Sequence, residues 1–324
     1  MKFPADAYVL AACGGFAATA ATLPLWRAWC RRSGLVDDPG HRKIHREPVP
    51  LAGGLAVLTG LLVPLGGAAL LLASEWLAPA SLRPLEYGWG RRGGQLLVLL
   101  LGAIGTVVLG WWDDRRELRP ALKFLGQTAI AAMVAASGIR ITLFVPNPLF
   151  GYAITILWLV TLMNACNFMD NMNGLCAGIG AISAFWFALK AAAAGQFLVA
   201  SIAFLACGAL LGFLPYNFPR ATVFLGDAGS HLVGYLLGVL AVLPHFYSDA
   251  HPVRLAVLNP LLILAVPLGD LVSVVVIRWR LRRPVYVGDT NHLSHRLVRR
   301  GLSPTTAVLV LWLAGAIAGA LTFV

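Results

Sequence analysis

The chain has 324 residues, 59% of them hydrophobic and only 12% charged, with a net charge of +11 and a mean hydropathy of +0.78. Soluble domains carry about 25% charged residues, so no aqueous core could hide this much apolar surface, and a soluble globular protein is excluded. The basic residues flank apolar runs instead of forming one stripe, which excludes a nucleic-acid-binding protein.

Windows of about 20 apolar residues predict ten membrane spans: 8–26, 51–73, 95–112, 121–137, 149–166, 174–191, 196–214, 228–246, 255–277 and 305–324. Lys2 is the only basic residue before the first, and no cleavage site stands out, so that helix is expected to remain as a span. No repeat or linker divides the chain, which reads as one domain, 1–324, an all-α polytopic bundle. The five cysteines include no C-x-x-C pair, and they are expected to pack as small apolar residues without a disulfide or zinc site.

Loops after the odd-numbered spans hold most of the 25 Lys and Arg residues. By the positive-inside rule that side is cytoplasmic, and both termini are outside. Most of the 14 acidic residues gather on the same side, whereas Asp270 is the one that falls well inside a span. A transporter is expected to place ionisable groups near mid-bilayer. Polar chemistry collected at one face suits an enzyme that joins a cytosolic substrate to a lipid.

Five segments on that face carry the chemistry. Residues 34–54 form a basic loop that enters the second span through Gly53 and Gly54, which let backbone approach a ligand. Residues 112–127 set Asp113 beside Asp114 at a span end, where the repulsion between them suits a general base or a cation site. Lys123 follows one turn into the next span, where its ammonium can meet a phosphate. In 164–174, Asn164, Asn167, Asp170 and Asn173 (or Asn171) recur at helical spacing, too polar a face to lie against lipid unpartnered. In 216–230, Asp227 offers an oxygen ligand for magnesium, and the backbone amides after it open a helix that favours an anion. Residues 288–300 put His292 and His295 on one helical face beside Arg296, too few ligands for zinc but suited to a phosphate or a sugar. Singly, each segment also reads as a basic loop, a solvated helix end or an interhelical hydrogen bond.

Together and in order, these segments resemble the polyprenyl-phosphate N-acetylhexosamine-1-phosphate transferase superfamily, glycosyltransferase family 4, over residues 34–302. The resemblance rests on the Gly-Leu-Val-Asp opening with its Arg-Lys-x-His and Gly-Gly, the Asp-Asp…Lys…Gln stretch, the run around Asp227, and the His-x-x-His-Arg-Leu loop. Within the superfamily the chain looks most like bacterial UDP-GlcNAc:undecaprenyl-phosphate GlcNAc-1-phosphate transferases.

That resemblance implies a bacterial inner-membrane enzyme with a cytoplasmic-face site. It would move GlcNAc-1-phosphate from a UDP-sugar to undecaprenyl phosphate and release UMP, the first step of a cell-envelope glycan. It implies Mg2+, with Mn2+ able to substitute. Asp113 would deprotonate or orient the lipid phosphate, Asp114 would organise the site, and Lys123 would contact a phosphate. Asp227 would bind the metal with Asn167 as second ligand, and Asp170 and Asn173 would lie near the nucleotide. The Asn173 amide can pair with both the N–H and the carbonyl of uracil. His292, His295 and Arg296 would meet the pyrophosphate or sugar. Relatives usually carry Asp at the Asn173 position and often His at Ser294. The histidine-and-Glu signature of the phospho-MurNAc-pentapeptide transferases is absent, which leaves that relative as the alternative; a transporter or flippase is the alternative from another class. A homodimer is left open.

Overall fold

The structure is a computed structural model that describes residues 5–39, 47–74, 83–244, 254–284 and 289–324. The basic run at 40–46 and Gly288, both within the predicted segments, lie outside them. The chain runs through α1 (Ala5–Ser33), β1 (Val36–Asp37), β2 (Val49–Pro50), α2 (Gly53–Ala73), α3 (Arg83–Arg116), α4 (Pro120–Ala136), α5 (Pro148–Met169) and α6 (Leu175–Ala193). It continues as α7 (Phe197–Asn217), α8 (Gly226–Leu240), a 3-10 turn (Arg254–Leu258), α9 (Asn259–Ile263), α10 (Ala265–Arg280), α11 (Leu293–Arg299) and α12 (Pro304–Ala320).

Local chemistry sets several of these boundaries. Proline opens α4, α5 and α12 at the first turn, where its missing N–H has no helical partner to lose. The Asn147 side chain accepts from the N–H groups of Leu149 and Phe150, and Ser303 accepts from that of Thr306, so both helices are also capped. Helix α3 runs past the apolar window to Arg116, which puts Asp113 and Asp114 in its last turn, and Glu117 then breaks it at a φ of 46°.

Among the described residues, seven helices are long and apolar enough to cross a membrane, or eight if one bent pair counts as a single span. The chain is a multi-pass membrane protein. All ten predicted spans coincide with helices, but α4 and α8 are short, at 17 and 15 residues.

The ninth span is not the continuous helix expected. It is broken, with a 70° bend between Ala256–Ile263 and Ala265–Arg280. The cause is Pro267, whose ring excludes a helical bond to the Ile263 carbonyl. The Ser183 hydroxyl on α6 donates to that carbonyl at 3.2 Å, so the break is satisfied inside the bundle.

Helix α8 lies at the centre, packed against α2, α3, α5 and α6, and most of its residues are buried. Small residues allow that closeness, as is usual where lipid removes the hydrophobic drive between helices. A Cβ on Gly54 of α2 would fall 2.4 Å from the Gly229 nitrogen, and one on Gly110 of α3 would fall 2.5 Å from the Ala228 nitrogen. Helices α2 and α3 therefore touch backbone at the first turn of α8, where Asp227 stands.

Candidate active site

The ribbon and the 218–225 loop frame this end of the bundle. β1 pairs antiparallel with β2, and the N–H groups of Phe224, Gly53 and Gly54 then bond Pro50, Phe224 and Leu225 carbonyls at 2.9 to 3.0 Å. Buried Asn217 accepts from the Gly174 N–H at 2.6 Å and donates to the Val223 carbonyl at 2.9 Å. These bonds fix the end of α7 and the starts of α2, α6 and α8 around a cavity of about 2200 Å³.

The cavity has two kinds of wall. Asp113, Asp114, Lys123, Asn164, Asn167, Asp170, Asn173, Asp227 and His295 give it a polar floor. Phe124, Ile156, Leu157, Val160, Leu271 and Val275, from α4, α5 and α10, give it an apolar flank. Phe124 and Leu157 are exposed, so this flank continues onto the outer surface of the bundle.

At the floor, one ammonium joins two carboxylates. Lys123 Nζ lies 2.5 Å from Asp113 Oδ2 and 2.8 Å from Asp227 Oδ2. Asn167 completes the cluster: its Oδ1 faces Lys123 at 3.5 Å, and its Nδ2 donates to Asp227 Oδ1 at 2.8 Å and to Ser230 Oγ at 3.0 Å. The other Asp113 oxygen accepts the Leu118 N–H at 2.8 Å, so both its oxygens are engaged. Asp227 is the more open of the pair, 35% exposed against 8% for Asp113.

One expectation changes here. The helix N-terminus of α8 was expected to take a ligand anion, but Asp114 occupies it. Its carboxylate accepts the N–H of Asp227 at 2.8 Å and that of Ala228 at 3.1 Å. A protein carboxylate thus answers the positive end of the helix. Lys123, expected to contact a phosphate, stands between two carboxylates on the cavity wall.

Asn164 and Asn167 share a face of α5 as their spacing predicted, but the helix ends at Met169, so Asn173 reaches the cavity from the turn before α6 and not from helical spacing. Asp170 caps the helix and lines the cavity. Burial, then the charges of Asp227 and Asp114, push its pKa up to about 8. Asn173 also lines the cavity, and its Nδ2 donates to the Pro219 carbonyl at 3.2 Å, which uses one of its two donors. Gln127, one turn beyond Lys123, accepts from Asn164 Nδ2 at 2.7 Å.

The histidine segment divides. His295 faces the cavity, and burial followed by the nearby His292 and Arg299 lowers its pKa. His292 does not line the cavity: it is 4% exposed, and its Nδ1 meets Asp270 Oδ2 at 2.7 Å. Arg296 is half-buried and does not line the cavity either. Two of the three residues expected at the substrate therefore lie off its wall.

Sequence reasoning missed what holds this segment. Arg278, 1% exposed, bonds Asp289 at 3.0 Å and stacks 5.1 Å over the Phe168 ring. Burial raises the Asp289 pKa, but the bonds from Arg278 and Asn291 outweigh it and keep the carboxyl below its ordinary value. Ser294 is buried and donates to Asn171 Oδ1 at 2.6 Å. Asp270, the mid-span acid that a transporter would require, is bound to His292 and to the Leu293 N–H. The sequence shows these residues but not their pairing across distant segments.

Comparisons with known proteins point to one family. A family model described as glycosyl transferase family 4 matches residues 96–245. The chain is 34% identical over 313 residues to the decaprenyl-phosphate N-acetylglucosaminephosphotransferase of Mycobacterium tuberculosis, covering 89% of this chain and 74% of that protein. It is 31% identical over 300 residues to a Bacillus subtilis protein named probable undecaprenyl-phosphate N-acetylglucosaminyl 1-phosphate transferase, covering 90% and 77%. It is 27% identical over 307 residues to the Escherichia coli undecaprenyl-phosphate alpha-N-acetylglucosaminyl 1-phosphate transferase, covering 90% and 76%.

Proposed function

The chain belongs to glycosyl transferase family 4, and on that footing we propose that it transfers GlcNAc-1-phosphate from UDP-GlcNAc to undecaprenyl phosphate. UMP is released, and the product begins a cell-envelope glycan. The observation that carries this reading is the Asp113–Lys123–Asp227 cluster at the floor of a cavity with one polar and one apolar wall. A prenyl chain suits the Phe124, Leu157 and Val275 flank, and a nucleotide suits the amide-rich side near Asn173.

The residues fit a magnesium ion. Asp113, Asp227 and the Asn167 oxygen are hard donors that already surround one positive charge, the Lys123 ammonium. Among the described residues no three His, Cys, Asp or Glu side chains form a metal group, so substrate oxygens would complete the shell. Asp227 and Asn167 would hold the ion, and Mn2+ would substitute. When bound, it would neutralise pyrophosphate charge and polarise the leaving UMP.

The protein's own part is positioning. A phosphate monoester has a second pKa near 6, so the lipid phosphate arrives with an anionic oxygen and needs no strong base. Asp113 then acts by holding Lys123 and orienting the acceptor, and its two engaged oxygens support that role. The acceptor oxygen attacks the β-phosphorus of the UDP-sugar in one displacement, with Lys123 screening two anions that otherwise repel. Asn173 would hold the uracil and His295 the sugar diphosphate.

The basic residues near Arg31, Arg115 and Arg278 lie at the site's end of the bundle, which supports a cytoplasmic-face site in the bacterial inner membrane. Purified protein given Mg2+, undecaprenyl phosphate and UDP-GlcNAc should release UMP and form a lipid-linked GlcNAc diphosphate. Absence of that product, with another UDP-sugar consumed instead, would overturn the substrate assignment.

A further inference from the structure

Asp270 lies on α10, 3% exposed, with both oxygens spent on a different helix. Oδ2 meets His292 Nδ1 at 2.7 Å, and Oδ1 accepts the Leu293 N–H at 2.6 Å. These two residues are the N-cap and first residue of α11, a seven-residue helix with no side-chain cap of its own. Asp270 supplies the missing cap from across the fold, and a carboxylate this desolvated is tolerated only with such donors.

Three residues after His292, His295 projects into the cavity, its ring 6.4 Å from the His292 ring. The direction of His295 therefore depends on how α11 is rotated about its own axis. Leu293 and Leu297 pack this short helix against the core, and two polar contacts fix its rotation with them. The Ser294–Asn171 bond holds the side facing α5, and the Asp270 contacts hold the start.

We propose that Asp270 is a positioning residue for nucleotide-sugar binding, acting on His295 through His292 and the first turn of α11. The inference rests on the GlcNAc-1-phosphate transfer reading above. Asp270 lines no part of the cavity. The break at Pro267 lets α10 start afresh and bring this acid beneath α11, so the broken span serves the site.

The test is a cycle of Asp270→Ala, His295→Ala and the double variant in the purified full chain, with Asp270→Asn as a milder variant that keeps one acceptor. Asp270→Ala should raise KM for UDP-GlcNAc about tenfold and leave KM for undecaprenyl phosphate unchanged. In the His295→Ala background it should add little, because the two act as one unit. Asp270→Asn should fall between. In protein with 13C-labelled histidine rings, the His295 signal should shift in Asp270→Asn. Losses that multiply in the double variant, or equal rises in both KM values, would reduce Asp270 to general stability and overturn the proposal. A wild-type protein that forms no lipid-linked product defeats the reaction reading alone. The histidine spectrum still decides the positioning, since an unmoved His295 signal sinks it.

Discussion

Asp227 and Asp113 show how neighbouring carboxylates take different work. Asp227 is the more open and shares its oxygens between Lys123 and Asn167, so it is the one a cation would reach. Asp227→Asn keeps the size but removes the charge, and activity should fall at least about a hundredfold, on the order of 3 kcal/mol. Full turnover of that variant in Mg2+ would remove Asp227 from the proposed metal site. Asp170 carries a pH signature. Its folded pKa of about 8 lies above the ordinary value of 3.8, so the folded state loses stability relative to the unfolded chain as pH rises between the two. Asp170→Asn removes that loss. Its thermal midpoint in detergent should exceed the wild-type value by a margin that grows from pH 5 to pH 8. A margin independent of pH would show that Asp170 is ionised already at the lower value.

At the scale of elements, the first turn of α8 is where several helices meet, and Gly226 admits them. Its φ is +73°, a left-handed conformation, and a Cβ there would lie 2.8 Å from Asp114 Oδ2. Gly226→Ala therefore strains the backbone and displaces the carboxylate that caps α8, a cost on the order of 1–2 kcal/mol. We expect kcat/KM to fall at least about tenfold while the divalent-cation requirement persists. Wild-type kinetics in Gly226→Ala would mean that Asp114 can leave the helix end without consequence. The Asp113–Asp114 pair and Lys123 were legible as a site because two short segments carry them. The capping of α8 by Asp114 was not, because the partners are 113 residues apart.

For the whole molecule, the chain direction places the start of α1 at Ala5 and the end of the chain at Val324 opposite the cavity. Arg115 near the cavity donates to the Ser33 carbonyl at the end of α1, and α12 starts beside the cavity at Pro304. At the far end of α12, Lys190 Nζ sits 4.1 Å over the Phe323 ring. With the basic end in the cytoplasm, alkaline phosphatase fused after Val324 should be active outside, and a fusion within 278–284 should be inactive. The opposite pattern would invert the molecule and move the cavity out of reach of cytosolic nucleotides.

Sequence by itself determined the membrane class, the succession of spans and the polar segments at one face. Those signals are local: apolar length, flanking charge, and helical spacing such as Asn164, Asn167 and Asp170. It also held the cause of the broken span, since Pro267 excludes one helical bond, although the Ser183 partner that makes the break tolerable is on another helix. Only the tertiary structure decided which polar residues face the cavity. His292 and His295 are equivalent by spacing, yet one is bound to Asp270 and the other is open to the cavity. Periodicity gives a residue its face on a helix, but the rotation of that helix is set by its neighbours, and Asp270 and Asn171 come from 23 and 123 residues away.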